Sequence, residues 1–250
     1  MRPHISEFSF GYALTSELVS RFNIRSIGAP FFPSLLEEGK LGYDVKIPGV
    51  PLFLQFKLAD PMVRGNSREA ELLGTPYYRM HLRGGTSQQH ELLVRLQRRG
   101  SDVYYAAPEF HESTTLDQAY VQRRVAALTA FWEPAALGSF QDNKHHYVAF
   151  ARKNPIGLVC STPTPVEKTS LGTLLHRDLR ENAKRRSSMP TEKFFRRLAD
   201  ELAAIWEEAG FQRPLSRRQA AERTEPIDEA AWLAHALFGC AMFFVPLEVL

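Results

Sequence analysis

Residues 51–58, PLFLQFKL, mix apolar and polar side chains in an order that an extended strand sorts cleanly into two faces. Successive side chains alternate along a strand, so Leu52, Leu54, Phe56 and Leu58 point one way while Phe53, Gln55 and Lys57 point the other. Upstream, YDVKI (43–47) is a second short β-prone run, joined to the first across PGV, and the two read as an antiparallel hairpin. In that hairpin Asp44 approaches Gln55 and Lys57, which brings a carboxylate, an amide oxygen and an ammonium into one small region. The plainer alternative is a solvent-facing edge, with Gln55 and Lys57 as surface residues and Asp44 capping a turn.

The flanking segments set the fold class. In EFSFGYALTSELVSRF (7–22), Leu14, Leu18 and Phe22 recur four apart, as on one face of a helix. The Pro- and Gly-rich segment 29–42 reads as a loop before the hairpin. TSQQHELLVRLQRRG (86–100) has Leu92, Leu93 and Leu96 at helical spacing between a Thr-Ser start and a Gly stop, and DVYYAA (102–107) returns to strand. Helix, strand, strand, helix, strand predicts an α/β core, a central sheet with helices packed on it. Further helices are expected over 115–132 and 191–211, the latter with Phe195, Leu198, Leu202 and Ile205 on one stripe, and a strand over 145–151. CSTPTPVEKTS (160–170) reads as a linker or long loop. The expected organisation is a core over 1–155 and a mainly helical carboxy-terminal extension over 156–250.

Composition narrows the class. A chain of 250 residues, 44% hydrophobic, can bury a sizeable core. A net charge of +3 fits contact with a polyanion without requiring it. Cys160 and Cys240 have no C-x-x-C partner, so neither a disulfide framework nor a structural zinc site is indicated. The amino terminus, MRPHISEFSF, has no apolar run of signal-peptide length, so a cytoplasmic location is expected. The apolar stretch 230–250 contains His235, Pro246 and Glu248 and reads as a buried closing helix or strand, not a membrane span.

A helix bearing Glu, a strand bearing Asp and a strand bearing (D/E)-x-K form the signature of the PD-(D/E)XK nuclease superfamily, and here the pattern reads Glu17, Asp44 and Gln55-Phe56-Lys57. The chain resembles that superfamily over about residues 7–107. Gln in place of the middle acid is similar to the branch that includes the Mrr-type restriction endonucleases. The resemblance implies a restriction endonuclease-like core, a mixed central sheet with helices on both faces, and Mg²⁺- or Mn²⁺-dependent hydrolysis of DNA phosphodiesters, in restriction or other anti-phage defence. RNA is a second substrate class to test. A module that keeps the fold and binds nucleic acid or a partner protein without cleavage is the alternative, because an amide supplies no negative charge to a metal.

Carried onto this sequence, the resemblance makes Asp44 the principal metal ligand and Gln55 a ligand through its side-chain oxygen. Lys57 orients or helps deprotonate the attacking water and stabilises negative charge at phosphorus. Glu17, with Glu7 as competitor, is the accessory acid from helix one. Gln88 and Gln89, opening the helix after the Q-x-K strand, are candidate substrate contacts. His145 and His146 adjoin on a strand, face opposite sides and do not suit one metal. Between residues 176 and 224, twelve Lys and Arg stand against eight Asp and Glu, so Lys184, Arg185 and Arg186 are candidates for gripping phosphates. A homodimer or a partner protein of a defence system is compatible with all of this.

Overall fold

The computed structural model describes residues 2–22, 24–26, 49–82, 88–140, 144–160, 163–175, 191–211 and 226–246. Helix α1 (Glu7–Phe22) spans the segment that the Leu14–Leu18 spacing marks, and both leucines are fully buried. The strands described form two sheets. The first, which is mixed, runs in the order β1 (Arg25–Ser26), β10 (Ala241–Pro246), β2 (Gly49–Phe56), β5 (Asp102–Pro108), β6 (Thr129–Trp132). The second is antiparallel throughout and runs β3 (Ala59–Met62), β4 (Tyr77–Leu82), β7 (His146–Phe150), β8 (Ile156–Val159), β9 (Thr164–Glu167).

The QFK segment lies at the centre of the first sheet. Strand β2 pairs in parallel with β5, from Leu52 opposite Asp102 to Phe56 opposite Ala106. Helix α3 (Gln89–Arg98) leads into β5, and the pairing runs one step past the strand end, where Lys57 N donates to the Ala106 carbonyl at 3.0 Å. On its other edge β2 pairs antiparallel with β10, from Gly49–Pro246 to Leu54–Ala241.

Alternation along β2 separates two layers of core. Leu52 and Leu54 join Leu14 and Leu18 of α1 and Leu116 of helix α4 (Ser113–Val121), with Phe56 and Leu58 packed against them. Phe53 faces the opposite way. It meets Leu93 and Leu96 of α3 in the larger cluster, which also holds residues of helices α6 (Thr191–Glu208) and α7 (Pro226–Phe238) and the inner face of the second sheet. A single helical turn, α5 (Leu171–Thr173), precedes α6. The first sheet therefore carries helices on both faces, within the α/β class that the element order predicts, and the second sheet shares one face with α3, α6 and α7. No helix among the described residues is long and apolar enough to cross a membrane.

Several expectations are corrected. Over Leu52–Leu54 both edges of β2 are taken, by β10 and β5, so neither is open there to a hairpin partner; YDVKI, with Asp44, lies outside the described residues. The carboxy-terminal part is not an extension beside a core. Strand β10 sits inside the first sheet and β8 and β9 complete the second, because Met242 to Val245 are apolar on both faces and need burial on both. The helix expected over 115–132 ends at Val121, near Arg123 in the left-handed region at φ 52°, and its last four residues form β6. The linker expected over 160–170 contains β9.

Candidate functional site around Gln55 and Lys57

Strand period puts Gln55 and Lys57 on one face, and the parallel β2–β5 pair puts them under the first turn of α3. Both are buried, at 6% and 9% exposure, which rules out the solvent-facing edge. Gln89, the first residue of α3, joins them. Its Nε2 donates to Gln55 Oε1 at 3.0 Å, and Lys57 Nζ donates to its Oε1 at 3.1 Å. The same Nε2 also donates to the Phe238 carbonyl at 3.0 Å, reaching the end of α7. Gln55 Nε2 donates to the Phe56 carbonyl at 3.3 Å.

The surroundings are apolar and aromatic. Lys57 Nζ lies 6.0 Å from the centre of the Tyr105 ring, within the range where a ring face attracts a cation. Cys240 Sγ stands 4.0 Å from Gln55 Oε1. Burial pushes its thiol up to about 12, with the Lys57 charge pulling the other way, so the sulfur is a neutral wall of the site and not a nucleophile. Beneath them His90 is buried and stacked on Tyr105. Its Nε2 lies 2.7 Å from the Gly138 carbonyl and so carries the proton, which leaves Nδ1 to accept from the Tyr105 hydroxyl at 3.0 Å. Burial holds His90 below the usual histidine range, only partly offset by that carbonyl.

Lys57 and Gln55 are thus brought together as the sequence predicts, and Gln89 is placed against both of them. Gln88 is exposed, just before α3. Helix one does not bring Glu17 to the cluster. Glu17 lies on the other face of the first sheet, buried, where Oε2 accepts from Ala126 N at 3.1 Å and Oε1 from Arg21 at 3.1 Å. Helical periodicity fixes which residues share a stripe but not which side of the sheet the helix packs on, and α1 packs on the Leu52–Leu54 side. Glu7 is exposed at the first residue of α1, on that same side; one turn on, Phe10 packs edge-on against Phe56 and Phe110. His146 is buried and His145 exposed. Lys184, Arg185 and Arg186 lie outside the described residues.

Phe238, Gly239, Tyr105 and His90 do not stand out in the sequence, and Cys240 does so only as a cysteine without a C-x-x-C partner. No short spacing marks them, since Gln89 and Phe238 are 149 residues apart. A partly buried ion pair lies beyond β5, where Lys168 Nζ reaches the buried Glu109 Oε1 at 2.5 Å and donates to the Ala151 and Arg152 carbonyls. Burial raises the Glu109 carboxyl, with Lys168 opposing. On the outer face of the second sheet Arg79 donates to Glu69 of the short helix α2 (Arg68–Leu73) at 3.0 Å, and Tyr147 donates to the same oxygen at 2.8 Å. Both clusters tie separate elements of the frame together.

Among the described residues no group of three or more His, Cys, Asp or Glu side chains is placed to hold a metal ion. Gln55 offers one neutral oxygen that already accepts from Gln89. The described donors do not by themselves fit a divalent cation, which takes hard and largely anionic oxygen ligands. What the arrangement offers is a fixed, buried positive charge at the carboxyl end of a parallel strand pair. Compared with protein-family models, with curated proteins and with solved structures, the chain matches none.

Proposed function

We propose that this chain is a metal-dependent nuclease with a restriction endonuclease-like core, hydrolysing DNA phosphodiester bonds in a bacterial restriction or anti-phage setting. The observation that carries the reading is the placement of Lys57 beside Gln55 at the carboxyl end of the central strand β2, with its ammonium held by Gln89 of the crossover helix. The order α1, β2, α3, β5, with β2 and β5 parallel, supports the same reading.

In this reading Lys57 acts on the phosphate. Its ammonium, held between the Gln89 oxygen and the Tyr105 ring, is oriented before the substrate arrives, and little reorganisation is needed as negative charge develops at phosphorus. Gln55 and Gln89 act as its frame. The Mg²⁺ or Mn²⁺ of the proposal rests on Asp44, outside the described residues. Lys184, Arg185 and Arg186 belong to the proposal as phosphate contacts, and their replacement by Ala should lower both affinity and salt dependence. Glu17, committed to Ala126 and Arg21, has no part in it.

One observation favours the non-cleaving alternative, a nuclease-fold module that binds nucleic acid or a partner. The middle position of the motif is a neutral Gln whose oxygen is engaged by Gln89. Incubating the pure protein with DNA and RNA in Mg²⁺, Mn²⁺ or EDTA separates the two. Cleavage of DNA that EDTA stops is the expected result. Binding without cleavage supports the module, and neither binding nor cleavage contradicts both the nuclease and the nucleic-acid-binding module, leaving the partner protein as the ligand.

A further inference from the structure

The Gln89 side chain is an amide whose two ends are not interchangeable here. Both hydrogens of Nε2 are used, one toward Gln55 Oε1 and one toward the Phe238 carbonyl, each at 3.0 Å. A flipped amide would point its oxygen at two other oxygens and its NH₂ at an ammonium. The Phe238 carbonyl, together with Gln55 Oε1, thus fixes which end faces Lys57. The next residue, Gly239, takes φ +63°, and a Cβ built there would lie 2.7 Å from Gln89 Nε2 and 3.3 Å from Gln55 Oε1. No ordinary side chain fits that gap without displacing Gln89 or Gln55.

We infer that the turn Phe238–Gly239–Cys240 is a positioning element of the site: Phe238 orients the Gln89 amide, Gly239 leaves room for it, and the amide oxygen holds the Lys57 ammonium in place. The inference rests on the reading of Lys57 as the working cation. It gives the carboxy-terminal segment a role beyond closing the sheet, since β10 carries the same turn to the central strand that bears the motif. Gly239 and Phe238 are positioning residues; they act on the substrate only through Gln89 and Lys57.

Crystal structures of the wild-type protein and of folded variants read the position of the Lys57 side chain without any need for cleavage. Gln89→Met removes this acceptor, and Gly239→Ala forces it aside. Gly239→Asn adds the same Cβ in a residue that tolerates positive φ, so backbone strain and crowding are told apart. In all three the Lys57 ammonium should leave its wild-type position beside residue 89. Adding Gly239→Ala to Gln89→Met should move it no further. Cleavage by the same variants should lose kcat by about 10-fold or more with KM little altered.

A Lys57 side chain in its wild-type position in folded Gln89→Met, or a Gly239 effect that persists without the Gln89 amide, overturns the inference. If the wild-type protein does not cleave nucleic acid, the nuclease reading fails while the variant structures still decide whether this turn positions Lys57. Variants in which Lys57 is displaced but which cleave at the wild-type rate would detach Gln89 from the chemistry and likewise overturn it.

Discussion

Glu17 on α1 accepts a hydrogen bond from the backbone N–H of Ala126 at 3.1 Å, across the sheet from Gln55. That bond pins a 3₁₀ turn (Ala126–Leu128) leading into β6. Glu17→Ala leaves the Ala126 donor buried without this acceptor and should cost roughly 1–3 kcal/mol in stability. Thermal or urea unfolding measures it. Any cleavage activity should keep its wild-type rate below the melting transition, and a large fall in rate by the folded variant would return Glu17 to the site.

His90 makes stability depend on pH. Its pKa is lowered by burial, so between the unfolded value near 6.5 and the folded value the unfolded chain binds a proton that the folded chain refuses. The contribution is therefore fully present above about 6.5 and is lost as pH falls below it. His235, lowered by burial as well, adds in the same direction, and Glu109, raised by burial, opposes at lower pH. Urea unfolding at several pH values from 7.5 to 5 should show stability falling. His90→Phe should be less stable at pH 7.5 yet show a shallower fall, and an identical slope would mean that His90 titrates normally.

Gly157 of β8 lies against Trp132 of β6, where the two sheets approach. A Cβ on Gly157 would come within 2.5 Å of Trp132 Cη2, a ring that is fully buried and has no room to withdraw. Gly157→Ala should destabilise by about 1–3 kcal/mol through overpacking. A change below a few tenths in unfolding free energy would show that the interface between the sheets can open at no cost.

How much of this was legible in the sequence depends on the range of the signal. Alternation in PLFLQFKL placed Gln55 and Lys57 on one face correctly, because a period of two is a local property. The stripe Phe195, Leu198, Leu202, Ile205 is buried as its spacing implies. Only part of the second sheet is legible: the strand expected over 145–151 is β7, whereas β3 contains Pro61, which argues against a strand, and the alternation of Tyr78, Met80 and Leu82 with Arg79 and His81 in β4 is short and sits in an otherwise polar, Gly-containing stretch. Nothing local announces that 241–246 inserts beside β2, nor that Gln89 chooses Phe238 as its acceptor; both depend on the assembled layers. Helix α1 was located to the residue, yet its side of the sheet was not, and with it the role of Glu17 was misassigned.

The central claim is that the Lys57 ammonium stabilises negative charge at a scissile phosphodiester. Single-turnover cleavage of a labelled DNA duplex in Mg²⁺ by the wild-type protein and by Lys57→Met, each first shown to be folded, tests it most directly. Loss of a preorganised charge should slow the variant by roughly 10²-fold or more. A folded Lys57→Met protein that cuts DNA at the wild-type rate would contradict the account.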